Sequence, residues 1–347
     1  MDTEQIRKRL RAKQTPERIS AVRLAAALDG PDRQALLLEA LADKSHYVAA
    51  QAAEALGEHA DDKIIDDTAA AAMTDRLTHL SEDGLARDPG CHIRSNLAFA
   101  LGRLSYYPAA DALRVGLRTT QREAVGGVPF DTAAHLRGNC ALALAQLRDL
   151  DSVRDIALLL FDRSGNLPGH LDPKVKMEPR KAAARALSLT GSVSARLPLT
   201  LRLVHPENEE PEVLQECMQA LADLEDPHAV EVLAPYLKHR DQNLAAFAAL
   251  SLARTQAPEA AALIGDALPH FTGNPLQAVI LALTTLRTPE ATELLYALTR
   301  SPREAVRLAA VGVLPPNSAT RAVLQALAAH DTSPRVRQAA RALLDAA

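Results

Sequence analysis

The side chains in this chain best suited to chemistry recur at matching intervals. Arg94, Arg137 and Arg180 are each preceded by an apolar residue or proline, Asn96 and Asn139 follow two residues after the first two arginines, and His92 and His135 stand two residues before them. A row of guanidinium groups could grip carboxylates or phosphates through forked contacts. The two histidines, at helix starts, have no obvious packing duty. Further candidates lie between these copies. Phe130 closes the run Gly126-Gly127-Val128-Pro129-Phe130, read as a flexible hinge followed by a rigid apolar tip, and His170, Asp172, Lys174 and Lys176 fall in a second irregular stretch.

No nucleophile elbow, phosphate loop, zinc-protease motif or dinucleotide fingerprint is present. We therefore read no catalytic residue, cofactor site or metal ligand set from the sequence. Cys91, Cys140 and Cys217 are odd in number and far apart, so neither a disulfide framework nor a Cys-x-x-Cys metal site is expected.

The elements that must position these residues are repeats. Val48, Ile93, Leu136, Pro179, Val213, Leu244, Pro275, Val306 and Val336 each begin a nine-residue segment of one pattern, for example VAAQAAEAL and IRSNLAFAL. Small or apolar residues fill the fifth and sixth positions and leucine the ninth. Positions one, five, eight and nine share one side of a helix, which suits a helix facing a neighbour. The segments are 45, 43, 43, 34, 31, 31, 31 and 30 residues apart. A degenerate first copy is expected around Val22 and Arg23. Pro227, Pro258 and Pro289, spaced by 31 residues, are expected to open the second helix of a pair.

Composition agrees with an all-α chain. Of 347 residues, 48% are apolar but only 3% aromatic, and there is no Trp, so Ala, Leu and Val must fill the core. The net charge of −4 gives no electrostatic reason to invoke nucleic acid or an anionic membrane. The opening Met1-Asp2-Thr3-Glu4 does not read as a secretory signal, and the most apolar run, Leu244 to Ala253, is about half a membrane span. We expect a cytoplasmic protein without a membrane segment.

The pattern of an aspartate, four residues, then Val-Arg and an Ala-Ala-x-Ala-Leu core resembles the HEAT-like repeats of the phycobilisome-lyase type. The aspartate is present as Asp43, Asp88, Asp131 and Asp331, and the arginine as Arg94, Arg137, Arg180, Arg307 and Arg337. The resemblance spans nearly the whole chain and implies a right-handed α-solenoid of about ten helical hairpins. It also implies a second use for the arginines, namely pairing with those aspartates between neighbouring repeats. Cys140 and Cys217 fall at the fifth position, where other copies carry alanine, and are expected to be buried; Cys91 is expected in a loop.

Such repeats serve unlike functions. The di-iron hydroxylases of this type use His-Glu dipeptides, and this chain has none. The DNA glycosylases of this type use Trp and a cationic groove, and a nucleic-acid-binding role is disfavoured on both grounds. The bilin lyase subunits are nearest in repeat style, yet no bilin-specific residue is found.

The unusual feature is three consecutive long repeats, with the excess placed at Ser81 to His92, Thr119 to Ala134 and Ser164 to Glu178. Equivalent loops of a solenoid lie on one edge. We divide the chain into a capping region (1–46), repeats with long insertions (47–190) and regular repeats (191–347), all within one solenoid. The reading is a non-catalytic protein-binding scaffold of unidentified partner. It would use the concave face and the insert-bearing edge, with His92, Arg94, Asn96, Phe130, His135, Arg137, Asn139, His170, Lys174, Lys176 and Arg180 as candidate contacts. Deleting Thr119 to Ala134 is expected to remove partner capture while leaving melting nearly unchanged.

Overall fold

The structure, a computed structural model, describes residues 2–60, 65–125, 128–162 and 173–346. They form two compact units, Met1–Leu199 and Thr200–Ala347. Each is built from helical hairpins whose first helix carries the nine-residue segment. In the first unit these are Thr15–Ala26, His46–Glu58, His92–Arg103, Ala134–Gln146 and Pro173–Thr190. In the second they are Pro211–Asp223, Gln242–Arg254, Gly273–Ala282, Glu304–Val311 and Pro334–Ala346. Among the described residues nine of these ten are followed by a second helix, and Thr3–Leu10 precedes them all. Among the described residues no helix is long and apolar enough to cross a membrane.

The periodicity sets the core. The position-one residues Val48, Ile93, Leu136, Val213, Leu244, Val306 and Val336 are buried, as are the position-five residues Ala52, Leu97, Cys140, Ala183, Cys217, Ala248, Val279, Ala310 and Ala340. Leu221, Leu252 and Leu283 occupy successive buried sites at position nine. Full burial of one such leucine contributes roughly 1.5–3 kcal/mol. Leu314 is only half-buried, because its helix ends at Val311; it packs from the following turn against a cluster containing Leu324 and Val336.

Small residues let consecutive first helices approach closely. A Cβ on Gly102 would lie 2.8 Å from both Cα and Cβ of Ala143 in the next first helix, and one on Gly57 would meet Phe99 at 2.8 Å and the Ala100 Cα at 3.1 Å. Gly102→Ala therefore forces two backbones apart and should cost about 1–3 kcal/mol. Urea denaturation checks this, and an unchanged midpoint would contradict the close packing.

The turn after the first helix also repeats. Ser105, Arg148, Glu225 and Gln256 each stand two residues beyond a first helix with φ between 51° and 56°. Gly191, at the same place in its own repeat, has φ of 63°. A left-handed residue there ends the helix and turns the chain into its partner. Pro289 opens its helix as expected, whereas Pro227 and Pro258 lie in the turns just before Ala229–Leu233 and Ala260–Ala267.

The first insertion is an extended second helix, Asp67–Glu82, followed by the short helix Gly84–Arg87 and a 3₁₀ turn at Pro89–Cys91. The second contains an antiparallel hairpin of β1 (Arg122–Val125) and β2 (Val128–Asp131), with Glu123 opposite Phe130. Phe130 is thus a half-buried strand residue and not a loop tip. Residues 163–172 of the third insertion, including His170 and Asp172, lie outside the described residues. The helix Pro173–Thr190 begins earlier than expected and carries Pro179 within it.

Candidate functional site

The insert-bearing edge of the first unit is organised around two buried arginines. Arg94 is 1% exposed; its Nε donates to Asp88 Oδ2 at 3.1 Å, and its Nη2 donates to Gln121 Oε1 at 2.5 Å and to Cys91 Sγ at 3.1 Å. The same Asp88 carboxylate accepts the backbone N–H groups of Ile93 and Arg94, each at 3.0 Å, so it also caps the helix that carries Arg94. One repeat later Arg137 donates to Asp131 Oδ2 at 2.8 Å, to Asp162 Oδ2 at 2.9 Å and to the Thr119 carbonyl at 2.9 Å. Asp131 accepts the backbone N–H groups of Gln121 and Ala133, each at 3.1 Å. The hairpin is thereby stitched at both of its ends to buried charges.

Glu123 is the hub between hairpin and preceding turn. Its Oε1 accepts from the Gly90 backbone N–H at 2.8 Å, Gln121 Nε2 at 2.6 Å and Thr132 Oγ1 at 2.5 Å. Burial alone would raise its pKa, but the donors from Gln121, Thr132 and Gly90, with His92 nearby, outweigh it and hold the carboxyl below its ordinary 4.5. A depressed folded-state pKa means that the stabilisation is complete above the ordinary value and is lost as pH falls through the folded one. The hairpin should loosen in acid below about pH 4.5, and Glu123→Gln should flatten that dependence. Melting measured from pH 6 to pH 3 tests this; parallel losses in both proteins would contradict it.

The arginine row serves the repeat stack more widely. Arg18 donates to Asp43 at 2.8 Å and Arg307 to Asp331 at 2.9 Å, each reaching the aspartate that opens the following repeat. Arg18, not Arg23, is therefore the position-two arginine of the degenerate first copy. Hydrogen bonding from Arg307 holds the Asp331 carboxyl below the ordinary carboxylate range. Arg180 is buried as well. Position four is a second clamp: Asn96 donates to the Ala50 carbonyl at 2.9 Å, and Asn139 to the Ser95 carbonyl and hydroxyl, both at 3.0 Å. In each case the acceptor is the position-three residue of the preceding repeat.

Arg94, Arg137, Asn96 and Asn139 are thus engaged internally, while His92 and His135 are exposed at the starts of their helices. The backbone of Lys174 and Lys176 lies in the helix Pro173–Thr190, and their side chains fall outside the description. Cys91 is buried, not in an open loop, and burial pushes its thiol up to about 11, which removes it as a nucleophile at neutral pH. Gln121 and Glu123 are the site residues that sequence reasoning missed, since no other repeat has counterparts to them.

A different surface is left exposed by this internal bonding. Position seven of the first helices is exposed as Glu54, Phe99 and Arg185 in the first unit and as Leu250 and Leu281 in the second, and half-buried as Leu142 and Gln219. Phe99 lies over Gly57, with the Arg103 guanidinium 5.9 Å from its ring centroid. Tyr47 adds an exposed aromatic ring at the start of the first of these helices.

No protein-family model matches the chain, and no curated sequence matches it. Solved structures do. A crystal structure of importin-β matches at a TM-score of 0.53 with 14% identity, covering 98% of this chain and 56% of that one. Yeast importin-β (Kap95p) matches at 0.52 with 13% identity, covering 97% and 56%. The chain has a HEAT-like helical-repeat fold. It spans just over half the length of the importin-β chains it matches. The CpcE–CpcF complex of phycocyanin lyase from Nostoc sp. PCC7120 is a weaker match, with a TM-score of 0.40 and 17% identity over 90% of this chain and 94% of that one. At these identities the likeness concerns the HEAT-like fold alone.

Proposed function

We propose that this HEAT-like chain is a non-catalytic, cytoplasmic protein-binding scaffold, using both units, with partners meeting the outward lane of the first helices and the insert-bearing edge. The observation that carries the reading is the exposed apolar row at position seven. Phe99, Leu250 and Leu281 are 38%, 38% and 55% exposed and leave apolar surface open on their units. In the second unit Leu250 and Leu281 stand at matching positions of consecutive first helices, and adjoining exposed apolar side chains mark interaction surfaces more than scattered ones do. His92, His135 and Phe130, on or beside the insertions of the first unit, are retained as contacts. Arg94 and Arg137 would act indirectly, by holding the edge in shape.

Affinity purification from the native host tests the proposal with wild-type, Phe99→Asp and Leu281→Asp baits. Partners recovered with wild type and lost with either variant, at unchanged helicity, support it. Identical recovery from all three baits overturns it.

A further inference from the structure

The lane changes character between the units, and the difference assigns a chemistry to one class of partner. Position four is Gln51, Asn96, Asn139 and Ala182 in the first unit; in the second it is Glu216 and Phe247 and then, from Gly273 onward, Ala278, Ala309 and Ala339. Position seven shrinks to Gly312 beside Leu281. A groove of about 890 Å³ opens between Gly273–Ala282 and Glu304–Val311, lined by Ala278, Leu281, Leu308, Ala309 and Gly312, with Arg335 and Glu304 also in its wall. Leu250, on the neighbouring first helix, continues the apolar strip.

We infer that this trough takes the apolar face of an amphipathic helix from a partner protein whose flank is acidic; the inference rests on the scaffold reading above. Spacing argues for a helix. Neighbouring helices pack roughly 8–10 Å apart, so pockets along the lane recur at that interval. A helix places side chains seven residues apart on one face at about 10.5 Å. An extended chain places same-face side chains at about 6.6 and 13 Å, which misses the interval.

Charge argues for the flank. The chain enters each first helix on the edge where the preceding second helix ends, and Lys238, Arg240, Arg300 and Arg335 are all exposed on that edge of the second unit. The exposed acids on that edge are Glu207 and Glu212, at the start of Pro211–Asp223 and away from the trough, and Glu304, which accepts the Ser333 hydroxyl at 2.8 Å. On the opposite edge the exposed acids Glu225, Glu259 and Glu290 stand beside the exposed Arg287 and Arg254, the latter paired with Asp223. A helix lying in the trough therefore meets a cationic border on one side, and an acidic flank satisfies it.

The test uses the full chain and fluorescein-labelled designed helical peptides of about 15 residues. All carry Leu at i, i+4 and i+7; one has Glu on the flank and its counterpart Lys. Fluorescence anisotropy should show the Glu peptide binding at least tenfold more tightly, with affinity falling as salt rises. Ala309→Arg should abolish binding and Arg335→Glu should reverse the preference. Leu281→Gln, at a half-exposed site, serves as the trough variant if Ala309→Arg fails to fold. Equal affinity for the two peptides, no binding to wild type, or binding indifferent to the trough variants would overturn the inference. If the wild-type chain captures host partners through Phe99 but binds neither peptide, the scaffold reading stands and the trough assignment falls.

Discussion

Asp88→Ala should destabilise the first unit by roughly 3–5 kcal/mol, the largest effect expected of a single substitution here. The Asp88 side chain is fully buried and so is that of Arg94. Removing the carboxylate leaves a guanidinium whose other hydrogen-bond partners among the described residues, Gln121 and the Cys91 sulfur, are neutral, and strips the acceptor from the Ile93 and Arg94 amides. An uncompensated buried cation and two unsatisfied N–H groups are each expensive. The exposed pair of Arg118 and Asp155 is the control. The Arg118 side chain is 67% exposed, so Asp155→Ala should cost less than about 1 kcal/mol. Urea unfolding followed by circular dichroism separates the two cases. Similar midpoints for both variants would mean that the buried network contributes no more than a surface pair.

The second large effect concerns the hairpin, and it reverses an expectation drawn from the sequence. Thr119 to Ala134 reads as a removable loop, but Gln121 and Asp131 within it are 6% and 3% exposed and bind Arg94 and Arg137. Deleting the whole stretch should therefore lower stability by several kcal/mol, as does breaking any buried charge pair. Trimming only Ala124 to Pro129 and joining Glu123 to Phe130 through Asn-Gly should leave melting nearly unchanged, because those two residues already face each other across the ladder. Thermal melts of the two deletions give the comparison. Partner capture should be assayed on the trimmed protein, since loss in the full deletion would conflate binding with folding.

The contrast shows where the sequence was legible. Positions one, five and nine repeat, and repetition exposes any property that every copy shares: the buried face, the small fifth residue, the aspartate and its arginine. Arg18 escaped because its copy lacks the leucine at position nine, so the visible Val22-Arg23 pair set the wrong register. Cys91 escaped because its burial depends on a left-handed turn, with φ of 56°, that local sequence does not advertise. Gln121 and Glu123 escaped for a deeper reason. They act in one insertion only, and their roles depend on groups brought near from Gly90 and Arg94 by the fold. The arginine row had two readings, ligand grip or repeat stitching, and spacing alone could not choose between them; the distances to Asp43, Asp162 and Asp331, each past the second helix that follows, place Arg18, Arg137 and Arg307 in stitching.

The same distinction frames the functional account. Side chains that repeat because stacking needs them are turned inward, and those left over on the first helices are free to differ between units, polar and aromatic in one and apolar in the other. Specificity in a stacked-repeat protein belongs to the second set, because changing it leaves neighbour packing intact.

Hydrogen exchange of the chain with and without a captured partner tests this most directly. The account predicts slowed exchange in the first helices, around Phe99, Leu250 and Leu281, with the second helices unchanged. Protection confined to second helices such as Asp67–Glu82 and Pro289–Leu298, with the first helices unaffected, would contradict it.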